Sequence, residues 1–308
     1  MKTTTSYKRD ALLRHIFKAT AMTLLLFMPC MAASAQTRFD MEEDHGHYFI
    51  NTTVNGHAGT RLFVESGVPG LMVSEDYYKT AFADARLKKA EGKFTKIRAF
   101  ESMHDIKQVL KGRVTIGGLC YTGKIYVIDK FDNIAVPVHR LRNEEDTTAY
   151  MPRFNFKQKT LDFVGINDID TAKMHRYKLL KYRAMPAIEA TLGIIDHRGN
   201  NGTVTGPFIF DLGNASALFL LKDHPKTSEF LKQGGFKLNP AKDSKSGRKV
   251  TDGILAKVCH IGSRIEQNVS IAVTDKIKMR GIVGIVGPKM FSDGYVVIDA
   301  KNKLIYYE

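Results

Sequence analysis

The 308 residues are 44% hydrophobic and 25% charged, enough apolar material for a large core and too polar for a protein that crosses a membrane many times. Twenty-five glycines and nine prolines without a short period, beside 18 Phe and 12 Tyr, exclude collagen-like, coiled-coil and disordered classes, and the length predicts about two domains. The net charge of +14 comes from scattered Lys and Arg without a dense stripe or interleaved aromatics, so it describes a solvated basic surface and excludes a nucleic-acid partner.

Residues 1–35 read as a secretory signal peptide. Lys2, Lys8, Arg9, Arg14 and Lys18 precede the apolar run Ala21–Met28, and Ala33-Ser34-Ala35 supplies a small-residue cleavage site. The run is shorter than the roughly 20 residues of a membrane span, so the mature chain is expected without one and outside the cytoplasm, periplasmic or extracellular. Cleavage removes five basic residues and one acidic one, which lowers the net charge to +10. It also removes Cys30. Cys120 and Cys259 remain, their pairing is left open, and no zinc-like Cys/His spacing occurs.

After the signal, Glu42-Glu43-Asp44-His45-Gly46-His47 places three acids and two histidines together, but adjacent ligands without outer support read as a hydrated segment, and no metal or other cofactor is expected. Tyr48–Gly56 alternates as a strand and ends in Asn55-Gly56, a hairpin turn signal. Ser74 is placed to cap a short helix through Phe82, and Thr227–Gln233 is a second short helical stretch. Residues 165–185, rich in charge and without a clear period, read as a linker between a unit spanning 36–164 and one spanning 186–308. No Gly-x-Ser-x-Gly elbow surrounds any serine, which excludes that class of hydrolase. Four Asn-x-Ser/Thr tripeptides, at Asn51, Asn201, Asn214 and Asn268, fit a glycosylation pattern that short chance matches also produce.

Four local patterns recur in the same order at nearly one offset. Leu62-Phe63-Val64-Glu65-Ser66-Gly67 matches Phe208-Ile209-Phe210-Asp211-Leu212-Gly213, an apolar strand ending in acid-x-Gly. Ile116-Gly117 matches Ile261-Gly262, and Ile134-Ala135-Val136 matches Ile282-Val283-Gly284. Phe154–Phe163 matches Ile298–Tyr307. The chain reads as an internal duplication of a mostly β unit.

The matched residues resemble those of aspartic peptidases of the retropepsin and pepsin clan. The resemblance implies a mostly β fold of two pseudo-symmetric barrel-like lobes with a few short helices, monomeric, with a cleft between the lobes for a peptide or protein. It implies catalytic carboxylates at Glu65 and Asp211, and loop support from Ser66, Gly67, Gly213 and Gly284. Flaps are implied near Phe94 to Asp105 and near Lys242 to Thr251.

Three departures set the functional expectation. The family aspartate is Glu65 in the first copy, the hydroxyl expected after Asp211 is Leu212, and a later glycine is matched with Val136. Glutamate carries its carboxylate about 1.5 Å further than aspartate at fixed backbone, against a tolerance of about 0.5 Å for a catalytic constellation. The leading expectation is therefore a degenerate peptidase whose cleft binds peptides or extended polymers. The alternative is an active endopeptidase with a Glu65/Asp211 dyad.

Overall fold

The computed structural model describes residues 38–82, 85–92, 95–99, 102–131, 134–143, 151–182, 185–242 and 249–308. The signal-peptide segment lies outside the described residues. The chain is mostly β, and Thr37–Glu308 form one compact unit.

The N-terminal half begins with β1 (Arg38–Asp44), β2 (His47–Val54) and β3 (His57–Glu65), an antiparallel meander. Asn55 and Gly56 form the β2–β3 turn with positive φ at both residues, the geometry for which Asn-Gly is suited. β4 (Leu71–Ser74) leads into α1 (Glu75–Ala81), where the Ser74 side chain accepts from the Tyr77 amide and Phe82 closes the last turn. Then come β5 (Lys88–Lys89), β6 (Lys96–Ala99), β7 (Ser102–Ile116), β8 (Leu119–Ile128) and β9 (Ile134–Pro137). β3 runs parallel to β9, while β4 is antiparallel to β9 and parallel to β8. Leu62, Phe63, Val64 and Glu65 are all buried, which explains the uninterrupted apolar run that ends at an acid.

β10 (Leu141–Asn143), β11 (Met151–Asn155) and β12 (Thr160–Val164) complete this half. Within 165–185, where a linker was expected, a strand occupies His175–Tyr182, and residues 183–184 lie outside the described residues. Ile166–Asp168 form a 3-10 turn, and β13 (His175–Tyr182) pairs with β14 (Met185–Asp196). Tyr177 is buried between exposed Arg176 and Lys178, so the charged face concealed a strand.

The C-terminal half continues with β15 (Asn201–Phe210), β16 (Leu218–Leu221), α2 (Pro225–Gln233), β17 (Asn239–Lys242), β18 (Lys249–Ile261), β19 (Arg264–Thr274), β20 (Gly284–Val286), β21 (Tyr295–Asp299) and β22 (Leu304–Tyr307). The pairing of the first half recurs: β15 runs parallel to β20, while β16 is antiparallel to β20 and parallel to β19. The register differs from the sequence match. Val64 faces Val136 and Phe210 faces Val286, so Val136 corresponds to Val286, and Pro137 to Gly287.

One antiparallel sheet joins the halves, in the order β1, β12, β11, β21, β22, β13. Its two tight hairpins are built alike. Asn155 accepts from the Gln158 amide at 2.8 Å and Asp299 from the Asn302 amide at 2.9 Å, and Lys159 and Lys303 both take positive φ. Asp299 is thus a turn residue, fully buried and satisfied by its own loop. Tyr307 stacks on Tyr177 with ring centroids 5.0 Å apart, meets Phe291 edge-on at 5.5 Å and shares a hydrogen bond with Ser263 at 2.6 Å. Cys120 and Cys259 are both buried and free, and burial pushes the Cys259 thiol up to about 12, which keeps it a protonated core residue.

Because Tyr307 anchors the joining sheet, Tyr307→Ala is expected to destabilise the protein by about 3–5 kcal/mol, the usual cost of deleting a buried aromatic ring. Urea unfolding measures this.

Candidate active site

β3 ends at Glu65 and β15 at Phe210, so Glu65-Ser66-Gly67 and Asp211-Leu212-Gly213 leave equivalent strands at the same level. The Asp211 amide donates to the Val286 carbonyl at 2.9 Å, which fixes where the second loop departs. One hydroxyl ties the loops together. Ser66 Oγ accepts from the Leu212 amide at 2.8 Å and donates to the Phe210 carbonyl at 2.8 Å, and it is fully buried.

The mirror position is Leu212, whose side chain is fully buried in the apolar core and offers no oxygen. By the symmetry of the pairing, a hydroxyl there would accept from the Ser66 amide. That amide instead donates to Oε2 of Glu65 at 2.9 Å, and the Gly67 amide donates to the same oxygen at 2.9 Å. The extra methylene of glutamate is used to fold the carboxyl back over its own loop. The longer side chain and the missing hydroxyl therefore complement each other.

The same folding back brings the carboxyls together. Glu65 reaches across to Gly213 and Asp211 to Gly67, so the two carboxyls adjoin, where the added methylene was expected to part them. Close approach across the loops depends on two glycines. A Cβ built on Gly213 would stand 1.8 Å from Glu65 Oε1, and one on Gly67 would stand 2.6 Å from Asp211 Oδ1. Asp211 also accepts from the Gly213 amide at 3.0 Å. Ser66, Gly67 and Gly213 thus all meet the carboxyl pair.

Burial holds the Glu65 carboxyl well above the usual range, reinforced by the charge of Asp211 beside it. Burial also raises Asp211, against the hydrogen bonds from Glu65 and from the Gly213 and Gly67 amides that favour its anion. Two adjoining carboxylates cannot both ionise cheaply, so the charge on either one raises the cost of charging the other. Glu65 is only 8% exposed, whereas Asp211 keeps a partly open surface.

Gly284 does not support the loop. It lies in β20, where a Cβ would meet the Phe219 carbonyl at 2.4 Å and the Phe208 ring at 2.8 Å. The glycine behind the loop is Gly287, where a Cβ would stand 2.1 Å from the Ser216 carbonyl oxygen and 2.6 Å from that of Asn214. Sequence reasoning missed it because apolar-apolar-Gly occurs twice in succession, and Gly287-Pro288 was the available signal. Arg140 was also missed. It donates to the Pro69 carbonyl at 3.1 Å and lies over the Tyr121 ring, bracing the chain after Gly67.

The expected first flap coincides with an antiparallel hairpin in which Lys96 faces Asp105 and Ile97 faces His104; Phe94 itself lies outside the described residues. At the second, Lys242 pairs with Lys249 and Ala241 with Thr251, and 243–248 lie outside the described residues. His47 in the acid-histidine segment meets Phe63 edge-on, with ring centroids 5.3 Å apart.

The complementarity of Glu65 and Leu212 predicts a favourable coupling. Glu65→Asp alone strands the Ser66 amide and should cost about 1–3 kcal/mol, whereas Glu65→Asp with Leu212→Thr should recover at least about 1 kcal/mol beyond additivity. A double-mutant cycle in urea unfolding measures the coupling.

No protein-family model matches the chain, and no curated protein matches it. Among solved structures it is similar to the aspartic proteinase from Irpex lacteus, with a TM-score of 0.57 and 14% identity over 89% of this chain and 97% of that one. At that identity the likeness establishes the fold, which is that of an aspartic proteinase.

Proposed function

We propose that this protein is an acid-acting endopeptidase in which Glu65 takes one of the two carboxyl positions and Asp211 the other. The observation that carries the reading is that the Glu65 and Asp211 loops leave two matched strands and bring the two buried carboxyls to each other's loop glycines, Gly213 and Gly67. A shared proton gives the pair both functions that amide hydrolysis needs. The Asp211 carboxylate takes a proton from a bound water as the water oxygen attacks the scissile carbonyl carbon. Glu65 gives its proton to the carbonyl oxygen, so the tetrahedral intermediate carries two hydroxyl groups and no net charge. Glu65, now the anion, takes a hydroxyl proton back as the carbon–nitrogen bond breaks, and Asp211 gives its proton to the leaving nitrogen. The pair ends as it began.

The wider reading is an exported, internally duplicated protein that acts as a monomer, with the signal peptide removed after Ala35 and an extended peptide lying in a cleft between two lobes. A second reading keeps that cleft for binding alone. Leu212 in place of a bracing hydroxyl favours it, because the pair then rests on one cross-loop hydroxyl where two would be expected. Basic residues near Lys242 to Thr251 suit acidic peptides or polymers in either case.

Incubation of the purified protein with an unbiased peptide mixture from acidic to neutral pH separates the readings. The peptidase reading expects cleavage that falls at least about 100-fold in Asp211→Asn and in Glu65→Gln, the scale of losing a general acid or base. Absence of cleavage by folded protein leaves the binding reading in its place.

Stability should follow the same proton. A carboxyl whose folded pKa is raised contributes stability fully present below its unfolded value and lost as pH rises through the folded value. Unfolding free energy is thus expected to fall as pH rises above the ordinary glutamate range, and Glu65→Gln should flatten that decline. Denaturant unfolding across pH measures it.

A further inference from the structure

The two carboxyl loops are held at their exits by different means. In the second, Asn214 follows Gly213 and its Oδ1 accepts from the Ser216 amide at 2.9 Å, so the loop ties itself. The residue that follows Gly67 is Val68, a buried hydrocarbon that offers no such acceptor. Glu65 depends on this loop directly, because its Oε2 is held by the Ser66 and Gly67 amides.

The missing tie comes from another part of the chain. Val138–Arg140 form a 3-10 turn directly after β9, whose last residue, Pro137, pairs with Glu65. From the end of that turn Arg140 Nη1 donates to the Pro69 carbonyl at 3.1 Å. Its guanidinium lies over the Tyr121 ring, 5.3 Å from the centroid, and a Cβ on Gly123 would stand 2.7 Å from Nη2, so the group fills a slot that Gly123 leaves open. A planar guanidinium can lie on a ring and donate in its own plane at once, which an ammonium does less well. Tyr121 extends the hold: its hydroxyl accepts from the Leu71 amide at 3.1 Å and donates to the Lys124 carbonyl at 2.7 Å. Between the two anchors lies Gly70, where a Cβ would stand 2.4 Å from the Lys124 carbonyl oxygen.

The register that matches Pro137 with Gly287 puts Met290 where Arg140 stands, fully buried and without a donor. The copy that ties its own loop lacks the guanidinium. We infer that Arg140 is a positioning residue for Glu65: it fixes the exit of the Glu65 loop at Pro69, the task that Asn214 performs for Asp211 from within its own loop. The inference rests on the peptidase reading for its effect on turnover, whereas its effect on the amides that hold Glu65 stands without that reading.

The test compares Arg140→Met, which keeps an unbranched stem and matches the second copy, with Arg140→Lys, which keeps a cationic donor. Two quantities are read in the whole protein: kcat and KM on a cleaved peptide, and hydrogen exchange of the Ser66, Gly67 and Gly213 amides. Arg140→Met is expected to lower kcat about tenfold with KM within about twofold, and to accelerate Ser66 and Gly67 exchange about tenfold, the scale of one lost hydrogen bond. The Gly213 amide, which serves Asp211, should stay within about twofold, since a general loss of stability would move all three together. Arg140→Lys should restore most of each effect. Unchanged exchange at Ser66 and Gly67 in Arg140→Met, a rise shared equally by Gly213, or a lysine variant no better than methionine overturns the inference. Should Arg140→Met not fold, Arg140→Lys decides alone: exchange at Ser66 and Gly67 within about twofold of the parent supports the tie, and a rise of about tenfold overturns it. If the parent protein cleaves no peptide, the exchange measurement still decides, and that failure belongs to the peptidase reading.

Discussion

Two carboxyl groups buried against each other cannot both carry charge, and the central architecture serves to hold one such pair. Burial penalises each anion, and proximity penalises the second more than the first. The Ser66 and Gly67 amides donate to Glu65 and the Gly213 amide to Asp211, so each carboxyl has a backbone donor. The strands beneath are correspondingly apolar, from Leu62 to Val64 and from Phe208 to Phe210, and the acids, the Ser66 hydroxyl and the loop amides stand at their ends. A pair that keeps one proton over a wide pH range is an acid and a base in one site, the requirement for hydrolysing an amide without a covalent intermediate.

The asymmetry of the site follows from the same constraint. Every buried amide at the loop bases needs an acceptor. Ser66 Oγ serves the Leu212 amide, and the reciprocal acceptor is missing because Leu212 fills its position with hydrocarbon. Glutamate at 65 is long enough to serve the Ser66 amide and still meet Asp211. A substitution that reads as a loss in the linear sequence is therefore coherent in three dimensions. Leu212 and Glu65 are best understood together, as one solution to the pairing of two loops by a single hydroxyl.

Much of this was legible in the sequence, for identifiable reasons. The two acid-x-Gly turns stand out because each ends a continuous apolar run, the signature of a strand buried on both faces. The Ser74 cap was equally plain, since it depends on a local side-chain oxygen. What depended on register or on contacts between distant segments was not legible. Gly284 and Gly287 both follow two apolar residues, and only the pairing of Phe210 with Val286 shows which one lies behind the loop. β13 was concealed by Arg176 and Lys178 on its exposed face. The back-folding of Glu65 required knowledge that Leu212 leaves an amide unserved.

The central claim is that Glu65 and Asp211 share one proton, and the most direct measurement is a carbon-13 NMR titration of the two side-chain carboxyls in the whole protein. The account predicts that the signals titrate together, with one carboxyl still protonated above the usual glutamate range, and that Asp211→Asn returns Glu65 toward ordinary behaviour. Two independent titrations in the ordinary carboxylate range would contradict it.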